Sequence, residues 1–102
     1  MFKAGISVEC KVGNGTFMSE YNVKIEYGVE ILWEGTIGRE MVFGLYGTPS
    51  TDKFINGRLY AYLINYSETK ALIELPVEDP LAVRRICVPI GCVRKEKVPA
   101  LS

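Results

Sequence analysis

The residue types that most often carry chemistry are scarce in this sequence of 102 residues. Histidine is absent, so the commonest general base at neutral pH is missing and a cysteine nucleophile would have no histidine to activate it. Cys10, Cys87 and Cys92 match no common zinc-site spacing, and we expect neither a metal ion nor another cofactor. Three small buried side chains, or a bridge between Cys87 and Cys92, are the remaining interpretations of these cysteines.

A pair of carboxylates is the other route to catalysis that the sequence leaves open. Glu26, Glu34 or Glu74 could contribute to a hydrolase of this kind, although glutamates on solvated strand faces are far commoner than catalytic ones. The glycines of residues 35–47 lack the spacing that cradles phosphate, and no Gly-x-Ser-x-Gly motif occurs. The sequence therefore favours a protein that is not an enzyme.

Composition indicates one compact folded domain. Apolar residues make up 48% of the chain, which is too many for a disordered protein. No apolar run approaches the roughly 18 residues that span a bilayer, and the first residues lack the apolar core of a signal peptide. We therefore expect an intracellular protein that does not enter a membrane.

The elements that must position any site are predicted to be strands, because the dominant hydrophobic period is two. Ile6, Val8, Cys10 and Val12 alternate with polar residues, and similar patterns recur along the chain. "EMVFGLYG" is predicted as a fourth short strand of the first half. The only helical signal is a single turn after Asp79, which could act as its cap. The fold class is therefore mainly β, with at most one short helix.

The order of the predicted strands repeats on either side of a break at residues 47–53, which is rich in Gly, Pro, Ser and Thr. Residues 1–48 and 54–102 each contain a hairpin, a connector and two further strands. An offset of 55 aligns "EILWEGTIGRE" with "RICVPIGCVRKE", and an offset of 53 aligns the first strands of the two halves. The prediction is two similar small antiparallel-sheet units, packed with pseudo-twofold symmetry as one compact domain.

A single small barrel is the alternative architecture. The segment Cys87, Val88, Pro89 and Val93 resembles the closing strands of Src-homology-3-like barrels, where two apolar residues, a proline, three residues and a valine end the fold. Cys92 stands where the peptide-binding members place a tyrosine, and their early Ala-Leu-Tyr-Asp-Tyr stretch and tandem tryptophan are missing. The resemblance implies barrel-like closure without the polyproline site.

The most distinctive surface signal is "RLYAYLINY". Period two places Tyr60, Tyr62 and Tyr66 on one face of a strand whose other face is also apolar. These tyrosines either fill the seam between the units or face a partner, and Trp33 near the predicted junction has the same two interpretations. A groove between two sheet units could bind an extended segment through backbone hydrogen bonds. We therefore predict a protein–protein interaction module whose partner-binding residues are Trp33, Tyr60, Tyr62 and Tyr66.

Binding of single-stranded nucleic acid is the alternative function. Residues 84–102 carry a balance of +4 and residues 1–83 a balance of −4. Cations near exposed tyrosines could supply phosphate contacts and base stacking. The residues predicted for this alternative are Arg84, Arg85, Arg94, Lys95 and Lys97.

The chain lacks histidine and glutamine, has ten glutamates and contains the stretch "EYNVKIEYGVEILWEG". It resembles the small orphan proteins of lipothrixvirus-like filamentous viruses, which infect hyperthermophilic archaea. That resemblance implies a protein of the infected host cell or a component of the virion. It implies no site residues.

Overall fold

A computed structural model describes residues 5–96, which form a mainly β fold based on an antiparallel sheet. The prediction of the fold class is confirmed. Two short 3₁₀ helices, Arg39–Met41 and Ile90–Cys92, precede the fourth and the eighth strand. No helix in this part of the chain is long and apolar enough to cross a bilayer. The strands are β1 (Ile6–Asn14), β2 (Glu20–Tyr27), β3 (Glu30–Gly38), β4 (Val42–Phe43), β5 (Ile55–Tyr66), β6 (Lys70–Glu74), β7 (Arg85–Pro89) and β8 (Val93–Lys95).

The sheet curls into a nearly closed barrel, so the small-barrel alternative fits. Its strand order is β3-β2-β1-β5-β6-β7, with β4 paired to β5 and β8 paired to β1. The two ends of this path, β3 and β7, lie near each other. The indole Nε1 of Trp33 in β3 donates a hydrogen bond of 3.0 Å to the carbonyl oxygen of Val83, two residues before β7. This bond bridges the remaining gap in the barrel.

The strand pairings fall into two corresponding sets, which we call the first unit (β1–β4) and the second unit (β5–β8). Val42 of β4 pairs with Leu59 of β5, and Val93 of β8 pairs with Val8 of β1. Val8 and Leu59 are 51 positions apart, and so are Val42 and Val93. The strands at the junction and the two 3₁₀ helices therefore correspond at a spacing of 51 residues, and the predicted offsets of 53 and 55 are wrong there.

A row of aliphatic side chains crosses the junction between the units. Leu59 pairs with Val42 on one side and with Val8 on the other, and Val8 pairs in turn with Val93. Leu59 and Val8 are fully buried. Paired residues share a face of the sheet, so these four side chains line up across β4, β5, β1 and β8. Removing this apolar surface from water stabilises the contact between the units.

Two local predictions are wrong in detail. The predicted fourth strand begins instead with the 3₁₀ helix Arg39–Met41, and only Val42–Phe43 is extended. The predicted helical turn near Pro80 is a reverse turn, in which the amide of Ala82 donates to the carbonyl oxygen of Asp79 at 3.1 Å. The Asp79 carboxylate accepts a bond from the Leu81 amide, as a cap would, but no helix follows.

Candidate functional site

A cavity of about 510 Å³ lies where the two units meet, and we call it the junction groove. Its walls come from β1 and β2, from the loop at residues 44–54, and from β5 and β8. Both units therefore contribute to it. The lining residues are Glu9, Cys10, Lys11, Glu26, Gly44, Tyr46, Asn56, Gly57, Arg58 and Arg94.

Arg58 forms a clamp beside this groove. Its Nε donates to the Ser7 hydroxyl at 2.7 Å, and its Nη2 donates to the carbonyl oxygens of Ser7 at 3.1 Å and Cys92 at 3.2 Å. Only 16% of its side chain is exposed, and Ser7 is fully buried. The guanidinium thus ties β5 to β1 and to the 3₁₀ helix before β8. A planar fork of donors is suited to several acceptors at once.

The clamp continues through Ser7 to the end of β8. The Ser7 hydroxyl donates to Glu96 Oε2 at 2.9 Å, and Arg94 Nε donates to the same oxygen at 2.8 Å. The hydrogen bond from Arg94 is the main reason why the pKa of Glu96 lies below its usual value, and the bond from Ser7 adds to it. Ser7 and Glu96 therefore position Arg94 at the groove.

Charges of both signs line the junction groove. The Arg58 guanidinium lies 3.9 Å from a carboxylate oxygen of Glu9, and the ammonium of Lys11 donates to the side-chain oxygen of Asn56. Glu26 adds a second carboxylate. Such a surface is complementary to a ligand that itself carries both charges, rather than to a uniformly anionic polymer.

Tyr46 supplies the aromatic side chain of the groove. Its backbone amide donates to the carbonyl oxygen of Asn56 at 3.3 Å, which holds this part of the loop against β5. Tyr46 is 84% exposed. Gly44, two residues earlier, has a φ of +67°, a conformation that favours glycine and turns the chain away from β4. The loop therefore presents an anchored residue whose ring is free to contact a partner.

The three cysteines are free thiols in different surroundings. Cys10 lines the groove but is buried, and burial raises the pKa of its thiol to about 12. The pKa of Cys92 is also raised, first by burial and then by the charge of Glu9. Neither thiol is therefore activated as a nucleophile at neutral pH, because only the thiolate is reactive.

We expect a disulfide reagent such as DTNB to modify Cys87 first in the native protein at pH 8. Cys87 is exposed, whereas Cys10 is buried and its pKa lies about four units above that pH. Mass spectrometry of the modified chain identifies the sites, and Cys87→Ser should remove the fast phase. Rapid modification of Cys10 without unfolding would contradict this order.

The predicted tyrosine face is interrupted by a β-bulge. Tyr62 pairs with Glu74, but the register shifts between Leu63 and Asn65, and Tyr66 then pairs with buried Ala71. Glu74 and Ala71 lie on opposite faces of β6, so Tyr62 and Tyr66 also lie on opposite faces. The prediction of one continuous face through Tyr60, Tyr62 and Tyr66 is therefore wrong.

The predicted partner-binding residues occupy separate environments. Tyr60 is half-buried and stacks on Phe43, with ring centroids 4.4 Å apart, and Tyr62 is also half-buried. Tyr66 is 68% exposed near the end of β5. Trp33 is 7% exposed, and its indole N–H is already bonded to Val83. None of these four lines the junction groove, although β5 itself does.

Two of the predicted nucleic-acid residues form ion pairs within the fold, although their side chains stay exposed. Arg85 contacts Glu74 at 3.1 Å, and Arg94 contacts Glu96 at 2.8 Å. Arg84 and Lys95 are exposed, and Lys97 lies outside the described residues. Two of the cations are thus paired with carboxylates, which weakens the attraction of this segment for phosphate.

Sequence reasoning missed Tyr46, Lys11 and Glu26 as residues of a shared site. The available signal was "GLYG", in which an aromatic residue stands between glycines immediately before the predicted break. Nothing in the sequence links that loop to Lys11, because the connection depends on the pairing of β1 with β5. Among the described residues, no group of three or more His, Cys, Asp or Glu side chains is placed to hold a metal ion.

Comparisons of the chain with protein-family models, with curated proteins and with solved structures find no match. The resemblance to proteins of archaeal filamentous viruses stays a prediction.

Proposed function

We propose that this protein is a non-enzymatic interaction module that binds an extended segment of a protein partner in the junction groove. The observation that carries the proposal is that one cavity of about 510 Å³ is formed by both units. Its volume falls within the roughly 300–1,000 Å³ of typical ligand pockets. The partner is a peptide segment with charges of both signs, because Glu9 and Glu26 line the groove together with Lys11 and Arg94.

The chemistry of the lining favours a protein partner over a small apolar ligand. Pockets for small molecules are lined mainly by hydrophobic side chains, whereas half of the residues that line the junction groove are charged. Tyrosine and arginine are enriched among the residues that contribute most to protein–protein binding. Tyr46 has the exposure and Arg94 the position to act in this way.

The chemistry of the thiols supports a role in binding rather than catalysis. Cys10 is the cysteine of the groove, and its pKa of about 12 leaves it protonated at neutral pH. A nucleophile in this position would also need a general base, and the sequence contains no histidine. Free thiols are typical of a reducing compartment, so we place the interaction inside the cell.

We further propose that the two units are copies of one ancestral unit. The support is the spacing of 51 residues between the β4–β5 and the β8–β1 pairings, which the two 3₁₀ helices share. The residues that flank these helices also adopt similar backbone angles, with φ and ψ of −57° and 139° at Gly38 and −58° and 138° at Pro89.

The proposed function is tested with peptides selected from a random phage-displayed library on the immobilised protein. A selected peptide, labelled and titrated by fluorescence anisotropy, should bind the Tyr46→Ala protein at least about tenfold more weakly than the unchanged protein. Tyr27→Ala is the matched control, because Tyr27 is 59% exposed but lies outside the groove. It should change the dissociation constant less than about twofold. Equal losses in the two variants would place the binding site elsewhere.

A labelled oligothymidine in the same assay separates the two function classes. The interaction module should show no saturable binding to it at physiological salt. Salt-sensitive binding that is lost in Arg84→Ala would instead support the nucleic-acid alternative, because each phosphate contact releases counterions.

A further inference from the structure

The two units of the barrel are held together by strand pairings, each of which joins a strand that precedes the loop at residues 44–54 to a strand that follows it. Within the first unit, β1 pairs with β2 and β2 pairs with β3. Within the second unit, β5 pairs with β6 and β6 pairs with β7. The remaining ladders, β1–β5, β4–β5 and β8–β1, each join one unit to the other. Each unit is thus a three-stranded meander whose fourth strand pairs with the other unit.

We propose that this chain forms a domain-swapped dimer, in which the first unit of one copy pairs with the second unit of another. Every ladder between the units can be satisfied equally well by a unit from a second chain, because the swapped pairings have the same register and side chains. The swapped dimer therefore contains two complete barrels. Only the loop that connects the units must change its path.

The loop has the properties of a hinge. Gly44 and Gly47 have φ values of +67° and +108°, and glycine passes readily between such conformations and extended ones. The backbone bonds from Tyr46 to Asn56 and from Asn14 to Ser50 hold the loop against the strands. Opening the loop exchanges such bonds for water, while the ladders between the units are rebuilt in the dimer.

Concentration decides which form is populated. When two units are joined by a short flexible linker, the effective concentration of one unit around the other is on the order of millimolar. At micromolar protein the units of one chain therefore meet first, and the chain is a monomer. When unfolded chains refold at a concentration near that value, units of different chains compete and the swapped dimer forms.

The swapped dimer also changes the valency of the site. Lys11 of one copy would meet Asn56 of the second copy, so each junction groove would be composed of two chains. A dimer would hold two such grooves and could bind a repetitive partner with increased avidity. This consequence rests on the proposed function, whereas the dimer itself does not.

The first test is refolding from urea at about 1 µM and at about 1 mM, followed by size exclusion with light scattering. We expect a monomer from the dilute sample and a fraction with twice the mass of one chain from the concentrated one. A monomer at both concentrations would overturn the proposal. This measurement uses the unchanged chain, so it does not depend on the folding of any variant.

The second test distinguishes swapping from ordinary association. Lys11 and Asn56 are paired across β1 and β5, where closely spaced strand partners are within the Cα range of a disulfide. The experiment uses the Cys87→Ser protein, which lacks the exposed thiol. In this background, Lys11→Cys combined with Asn56→Cys should form a disulfide, and the dimer fraction should run as a covalent dimer on a non-reducing gel. The monomer fraction should give a single-chain band.

Lys24→Cys with Glu34→Cys is the matched control, because these partners both belong to the first unit. This pair should remain within one chain in either fraction. A dimer fraction in which the Lys11–Asn56 pair also runs as a single chain would be an association of unswapped monomers and would overturn the proposal.

Discussion

We expect Leu59→Ala to lower the free energy of unfolding by about 2–5 kcal/mol. Leu59 is fully buried at the centre of the row that crosses the junction, between Val42 and Val8. Removing its side chain leaves a cavity between β4 and β1, and neighbouring strands cannot collapse into it without losing their ladders. Urea unfolding followed by the fluorescence of Trp33 measures the change.

Leu63→Ala is the control for this prediction. Leu63 lies in the same strand and undergoes the same substitution, but it is 39% exposed near the β-bulge. We expect it to cost less than about half as much as Leu59→Ala, because less apolar surface is lost from the interior. Equal costs would mean that the junction row is no more important to stability than the end of the β5–β6 hairpin.

The strands were predictable because one face of most of them is buried and the hydrophobic period is therefore two. Ile6, Val8, Cys10 and Val12 all lie in the core as the pattern of β1 predicts. The closing segment was also predictable, since β7 ends at Pro89 before the 3₁₀ helix and β8. Proline cannot donate a ladder bond, so it favours the end of a strand.

The correspondence between the units was predicted at the wrong spacing for a physical reason. Aligning residue types compares side chains, whereas the spacing of 51 follows from which backbones pair with each other. Val8 and Leu59 occupy equivalent positions although no identity marks them. Register between distant strands depends on the closure of the whole sheet, which local periodicity does not contain.

The tyrosine strand illustrates the limit of a period-two interpretation. A β-bulge adds one residue between Leu63 and Asn65, and every later side chain changes face. Tyr66 therefore leaves the face of Tyr62. Bulges carry no strong local sequence signal when no glycine is present, as in "LIN", so alternation alone assigns the end of this strand to the wrong side.

The candidate site was less predictable than the fold because its residues meet only after the barrel closes. Arg58 is a single cation before an apolar strand in the sequence, and a solvated position is the ordinary interpretation of such a residue. In the structure it bonds to the Ser7 hydroxyl and to two carbonyl oxygens. These partners lie 51 residues before it in β1 and 34 residues after it at Cys92.

Arg58→Ala is therefore the second substitution with a large expected effect, and we expect it to lower the free energy of unfolding by about 2–4 kcal/mol. Hydrogen bonds to a charged donor contribute about 1.5–3 kcal/mol each, but water from the adjacent groove would replace some of the three that are lost. The unfolding midpoint in urea measures the effect. The slope should stay unchanged, since the folded state keeps its sheet.

Two further substitutions separate the clamp from a simple charge effect. Arg58→Lys keeps the charge near Glu9, but one ammonium cannot bond to Ser7 and Cys92 in a planar fork, so less than half of the lost stability should return. Arg85→Ala removes an exposed ion pair with Glu74 and should cost no more than about 1 kcal/mol. If Arg58→Lys were fully stable, the positive charge and not the fork would hold β8 against β1.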